Sequence, residues 1–183
     1  MVSIVLSALG RPQDFVERDP SHRTLAALAA GASVGIATYG GIIHTAEGVE
    51  MVLFGAARAL VVAGVAWWLA VPALVVLGPL LGSPTSWRRV VFASLIAVNF
   101  GGLAFMASIP VVGLLELSSP FHWTRPLVNS MVVVGVGSCS TLVFERTMAR
   151  LEGRRWFHRV WMTVFGVLFL EFAWFVDLFR FSL

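Results

Sequence analysis

Five apolar stretches of bilayer-spanning length, separated by short gaps that hold nearly all the arginines, constrain this chain more than any other feature. They run from Thr24 to Ile43, Met51 to Leu81, Val90 to Leu115, Pro126 to Phe144 and Val160 to Phe179. A hydrocarbon core of about 30 Å is crossed by about 20 helical residues, so each block is a candidate span. The second exceeds one straight crossing, so its first turn or two is expected at the interface, with Arg58 near the boundary. Charged residues make up 13% of the chain, about half the roughly 25% of a soluble domain. That supply cannot coat a water-facing globule, but it suffices for a bundle whose outer face meets lipid. The expected fold class is therefore all-α: an integral membrane bundle of five transmembrane helices over residues 24–183. Residues 1–23 precede it as a cytoplasmic tail or an interfacial helix, in which Val2, Ile4, Val5, Leu6 and Leu9 can share one face. The initial apolar run is short and has no basic residue ahead of it, unlike a secretory signal.

The arginines orient the bundle. Arg11, Arg18, Arg23, Arg88, Arg89, Arg146, Arg150, Arg154, Arg155 and Arg159 fall in gaps on one side. Only Arg58, Arg125 and Arg180 belong to the other side. Cytoplasmic loops carry the excess of basic residues, so the N-terminus is expected in the cytoplasm and the C-terminus across the membrane. Trp87, Trp156 and Trp161 then sit at cytoplasmic boundaries and Trp123 at the opposite one, where indole rings favour the headgroup level. Trp67, Trp68 and Trp174 lie deeper, as expected for bundle packing. The pI near 10.4 accompanies a net charge of only +3, with the arginines confined to gaps. Topology accounts for that better than a nucleic-acid footprint does.

Within the blocks, Ala27, Gly31 and Gly35 recur every fourth residue, a spacing that brings helix backbones close. Gly135, Gly137, Ser138, Cys139 and Ser140 suggest a second close-packing face in the fourth block. Pro72 is expected to kink the second block, and Pro79, Gly82 and Pro84 to end it. Gly101, Gly102 and Pro110 are candidate bends in the third, while Pro126 suits the first turn of the fourth.

One stretch resembles a known family. Arg58 is followed after fourteen residues by Pro72, which opens PALVVLGPLLGS, Pro72 to Ser83. In bacterial members of the Yip family of five-span membrane proteins, a basic residue and a proline at this spacing precede a Pro-Ser-Leu-Tyr-x-x-Asn-x-Leu-Leu-Gly-Ser-like run. Pro72, Leu74, Leu80, Leu81, Gly82 and Ser83 fit, whereas Val75 replaces the aromatic and Gly78 the asparagine. Tyr39 to Gly41 is similar to the step that closes the family's first span, and ASIPVVGLLELSSPFHW to the end of its third. EFAWFVDLF, Glu171 to Phe179, resembles the last-span pattern through Trp174 and Phe179, with Glu171 in place of Gln and Asp177 in place of Arg. The resemblance implies a five-span scaffold with a cytoplasmic N-terminus. Eukaryotic members serve membrane trafficking and bind small GTPases.

Arg58, Asn99, Glu171 and Asp177 are the candidates for polar contacts within the membrane. A charge at the bilayer centre costs at least about 3 kcal/mol, so such groups pair or stay near water. Asp177 lies about 26 Å and Glu171 about 17 Å above the start of the last block at 1.5 Å per residue. Arg58 is thus expected to pair with Asp177, while Glu171 meets Asn99 at similar depth. Arg154, Arg155 and Trp156, in the basic loop ARLEGRRWFHR, form a candidate cytoplasmic surface for anionic lipid or a partner. The four histidines sit outside the spans; His44 and His122 share a side but lack further ligands at metal-site spacing. Cys139 has no base at its depth. No phosphate loop, dinucleotide fingerprint, zinc spacing or hydrolase elbow occurs. The expectation is a non-enzymatic, Yip-like membrane scaffold or accessory subunit without cofactor or metal. Its partners are membrane lipids and other membrane subunits, and not nucleic acid. The alternative is a small transporter or channel component using Glu171.

Overall fold

The computed structural model describes residues 12–16, 21–80, 85–118, 124–152, 163, 166, 167 and 171. The described residues are all-helical, and four of the helices are long and apolar enough to cross a membrane. A short helix α1 spans Pro12–Phe15. The long helices are α2, His22–Ile42, α3, Val49–Leu80, α4, Trp87–Ser118, and α5, Thr124–Glu152.

Local chemistry sets several of the ends. Ser21 caps α2, its hydroxyl accepting the Thr24 N–H at 3.2 Å, which satisfies one of the free donors of the first turn. The chain leaves α2 through a 3-10 turn, Thr45–Glu47, and reverses at Gly48, whose φ of 102° is open to glycine and strained for other residues. Pro126 lies in the first turn of α5, where its missing N–H has no helical partner to lose.

The long helices are continuous through their internal prolines and glycines. α3 runs unbroken through Pro72 and continues past Pro79 to Leu80, and α4 runs unbroken through Gly101, Gly102 and Pro110. Each proline deletes one hydrogen bond of a helix more than 30 residues long, and the bonds on either side maintain it. The other end of the scale is also displaced: α5 continues two turns past Phe144 to Glu152. Residues 81–84 lie outside the described residues.

Short connections make successive long helices antiparallel, but sequence order does not set which of them pack together. α4 is central and packs along α2 on one side and α5 on the other, while α3 packs mainly on α2 and meets α4 sparsely. The four helices thus pack in the order α3–α2–α4–α5. Between helices in lipid no hydrophobic force acts, and close backbone contact supplies the attraction. Small residues provide it at each seam. A β-carbon at Gly35 would run into the Gly102 carbonyl, and one at Gly102 would lie 2.8 Å from the Ala32 carbonyl oxygen. Gly40 of α2 meets Gly55 of α3 equally closely, and Gly101 of α4 meets Ser140 of α5. The Ala27–Gly31–Gly35 expectation is therefore met at Gly35, with Ala32 as its partner in the seam. The expected close-packing face of α5 is not formed as read. Gly135, Gly137, Ser138 and Cys139 are exposed, and Ser140 and Val136 carry the contact. A 100° step per residue separates these adjacent positions.

The largest cluster of buried side chains lies at the end of the bundle where α2 and α4 begin and α3 and α5 finish. It joins Leu28, Leu74, Val90, Phe92, Phe144 and Met148. Phe15 and Val16, from the region expected as a tail or surface helix, are buried in it, and Phe15 stacks on Phe92 at 5.5 Å between ring centroids. Val2 to Leu9 lie outside the described residues. The outer surface is apolar: Leu53, Phe54, Val61, Val76, Leu114 and Met131 are exposed. Trp68 belongs with them at 71% exposure and does not pack in the bundle, because it points 100° away from the half-buried Trp67 on α3. An apolar surface of this extent on long helices is that of an integral membrane protein.

Candidate functional site

Buried polar side chains are few among the described residues, and two of them, Asn129 and Ser94, join one helix to another. Tyr39 of α2 donates its hydroxyl proton to Asn129 Oδ1 of α5 at 3.0 Å. Its ring also lies 4.6 Å from that of Phe105 of α4, so one residue ties three helices together. Trp67 Nε1 of α3 donates to Ser94 Oγ of α4 at 3.3 Å, and Ser94 in turn donates to the Val91 carbonyl at 2.8 Å.

Two buried polar groups are not satisfied in this way. Asn99 of α4 is 1% exposed, and neither its amide oxygen nor its nitrogen has a hydrogen-bond partner. His44, at the turn after α2, is 3% exposed and packs against Gly55. Its Nδ1 lies 3.5 Å from Glu47 Oε2, longer than the 2.7–2.9 Å of a charge-assisted bond, and neither ring nitrogen is hydrogen-bonded.

The residues singled out from the sequence fare differently. Arg58 lies nine residues into α3, about 14 Å along its axis, so it does not begin that helix. It is half-buried, with its guanidinium 4.2 Å from the centroid of the Phe54 ring one turn earlier. This cation–π contact holds the charge against an apolar surface. Glu171 is helical and exposed. It does not meet Asn99, whose amide has no partner. Asp177, Arg154, Arg155, Trp156 and His122 lie outside the described residues, as do Trp123, Trp161 and Trp174. Among the described residues no three His, Cys, Asp or Glu side chains come together as metal ligands.

A cleft of about 670 Å³ lies between α3 and α5 with α4 as its floor, and Thr163, Gly166 and Val167 of the last apolar block also line it. Ser94, Val98 and Gly101 line the floor, Ala63 and Trp67 one wall, and Gly137 and Thr141 the other. Glu145 also lines it and is 5% exposed. In the sequence Glu145 directly follows Phe144, the expected end of the fourth block, and so reads as the start of a cytoplasmic gap. The signal that locates it is helical spacing: Phe144, Met148 and Leu151 continue the apolar face of α5 at i, i+4 and i+7, so the helix does not stop at the first charged residue. Asn129 and Tyr39 were missed for another reason, since nothing in one sequence pairs residues 90 positions apart.

No family model matches the chain, and no curated protein or solved structure matches it.

Proposed function

We propose that this chain is a non-enzymatic multi-pass membrane scaffold, or an accessory subunit of a membrane protein complex, of the Yip-like five-span kind. The observation that carries this reading is the use made of the buried polar groups. Tyr39–Asn129 and Trp67–Ser94 fasten helices to each other. The outward-facing surface is left apolar, for lipid and for other membrane subunits. Val160 to Phe179 supplies the fifth span. The N-terminus is cytoplasmic, in what we take to be the inner membrane of a bacterium, and the C-terminus lies on the other side. The described arginines support that orientation. Arg23 begins α2, Arg88 and Arg89 begin α4, and Arg146 and Arg150 lie in the last two turns of α5, all at one end of the bundle. Arg58 pairs with Asp177 near the opposite interface, and Arg154, Arg155 and Trp156 face the cytoplasmic headgroups.

Purification from native membranes in mild detergent tests this function. A stable membrane partner that co-purifies in fixed ratio is the expected result. Proton or cation flux by the isolated protein in liposomes, lost in Glu171→Gln, would replace the scaffold reading with the transport reading.

A further inference from the structure

We infer that Arg23 of α2 and Arg88 and Arg89 of α4 form one basic ridge that binds the phosphate groups of anionic phospholipid. The inference deepens the membrane-scaffold reading and rests on it only in requiring that the bundle be in a bilayer.

The ridge follows from how two parallel helices are pinned. α2 and α4 begin at the same end of the bundle, and their seam fixes the register, with Gly35 meeting Gly102 backbone to backbone. Arg23 precedes Gly35 by 12 residues, while Arg89 and Arg88 precede Gly102 by 13 and 14. At 1.5 Å per residue the three lie about 18–21 Å from the seam, so they stand at one height to within about 3 Å. Leu28 of α2 and Val90 and Phe92 of α4 share the apolar cluster at this end, so the two helices remain packed together there. Arg89 adjoins the buried Val90, and Arg23 lies two residues before Leu25, which packs on the same cluster.

The charge on the ridge is uncompensated. All three arginines are exposed, and none has an ion pair among the described residues. Neither α2 nor α4 carries an acidic residue in its first turn. Trp87 selects the partner. It is 61% exposed in the same turn as Arg88 and Arg89, and indole rings favour the headgroup level. Further along the same two helices, Val34, Met106 and Val111 are exposed apolar side chains, the surface that meets lipid tails. The ridge therefore stands where the phosphates of a leaflet lie, not out in water where an acidic soluble protein would dock. A guanidinium keeps its charge at every physiological pH and presents a donor fork that matches phosphate oxygens. Arginines at headgroup level each add to the attraction for anionic lipid.

The delipidated full chain in mild detergent is titrated separately with phosphatidylglycerol and phosphatidylcholine, and bound lipid is counted by native mass spectrometry. Wild type is expected to bind phosphatidylglycerol at least about tenfold more tightly, with the difference shrinking as ionic strength rises. Arg88→Gln with Arg89→Gln is expected to lower phosphatidylglycerol affinity about tenfold and to leave phosphatidylcholine affinity and helical content unchanged. Arg23→Gln, on the other helix, is expected to lower it about fivefold. Arg125→Gln, in the first turn of α5 at the opposite end, is expected to change neither affinity. Wild type without the preference, a full preference kept by either the double variant or Arg23→Gln, or an equal loss in Arg125→Gln overturns the proposal. So does the loss of an acidic protein partner from native membranes in these variants while phosphatidylglycerol affinity stays at the wild-type level. The titration uses the isolated chain, so failure to co-purify a membrane partner would sink the scaffold reading and leave this result standing.

Discussion

The side-chain amide of Asn99 lies inside the bundle with neither its oxygen nor its nitrogen hydrogen-bonded. A buried polar group without a partner costs about 1–3 kcal/mol. Asn99→Leu, close in volume, removes that penalty and is expected to raise stability by about 1 kcal/mol, read as an upward shift of the thermal midpoint in detergent. A drop instead would mean that the amide serves a water or a partner inside the membrane. The glycines divide along the same physical line. Gly35→Ala puts a methyl group into the Gly102 carbonyl, where the obstacle is backbone and cannot move aside. Overpacking of this kind costs about 1–3 kcal/mol, and the same thermal assay should show it. Gly137→Ala meets open space and removes glycine's helix penalty, so it is expected to be neutral or stabilising by up to about 1 kcal/mol.

Among the elements, α4 holds the bundle together. α4 is clasped by α2 through Gly35, Gly102 and Ala32 and by α5 through Gly101 and Ser140. α3 depends on the Gly40–Gly55 seam at one end and on Leu74 in the apolar cluster at the other. The Tyr39–Asn129 bond links α2 to α5 across α4. Tyr39→Phe keeps the ring against Phe105 and deletes that bond, with an expected loss of about 0.6 kcal/mol, the average for such bonds in membranes. Chemical denaturation in mixed micelles is precise enough to read it against wild type. α1 has four residues and no independent stability as a helix. It is fixed by Phe15, so Phe15→Ala is expected to cost about 3 kcal/mol and to expose the residues around it to limited proteolysis from the side bearing Arg88 and Arg89.

At the scale of the molecule, the four described long helices pack in the order α3–α2–α4–α5, and the cleft between α3 and α5 is also lined by Thr163, Gly166 and Val167 of the last apolar block. Topology is the property to be measured there. Reporter fusions should place the N-terminus in the cytoplasm and the C-terminus on the far side, as an odd number of spans requires. Both ends in one compartment would remove the fifth span. Four of the apolar blocks read from composition are the four long helices, because length and hydropathy are summed over about 20 residues and one misleading position hardly alters them. Helix ends were less legible. Pro72, Pro110 and the glycine pair at Gly101 and Gly102 lie inside continuous helices, since the bonds on either side carry the helix past them, and Pro79 lies one residue before the last described residue of α3. Among candidate site residues, the burial of Asn99 was legible from its position in an apolar block, whereas Glu145 was hidden by the convention that a charge ends a span.

Composition and periodicity by themselves determined that the chain is helical, that its spans are long enough for a bilayer and that its arginines collect in the gaps. These follow from how each segment alone partitions between water and hydrocarbon. Which faces meet was decided only in three dimensions. In lipid the attraction between helices comes from close packing, and packing depends on how a glycine on one helix fits the backbone of another. Gly35 and Gly137 look alike along the chain, yet one is pressed against Gly102 and the other lines the cleft with nothing within 4 Å of where a β-carbon would sit.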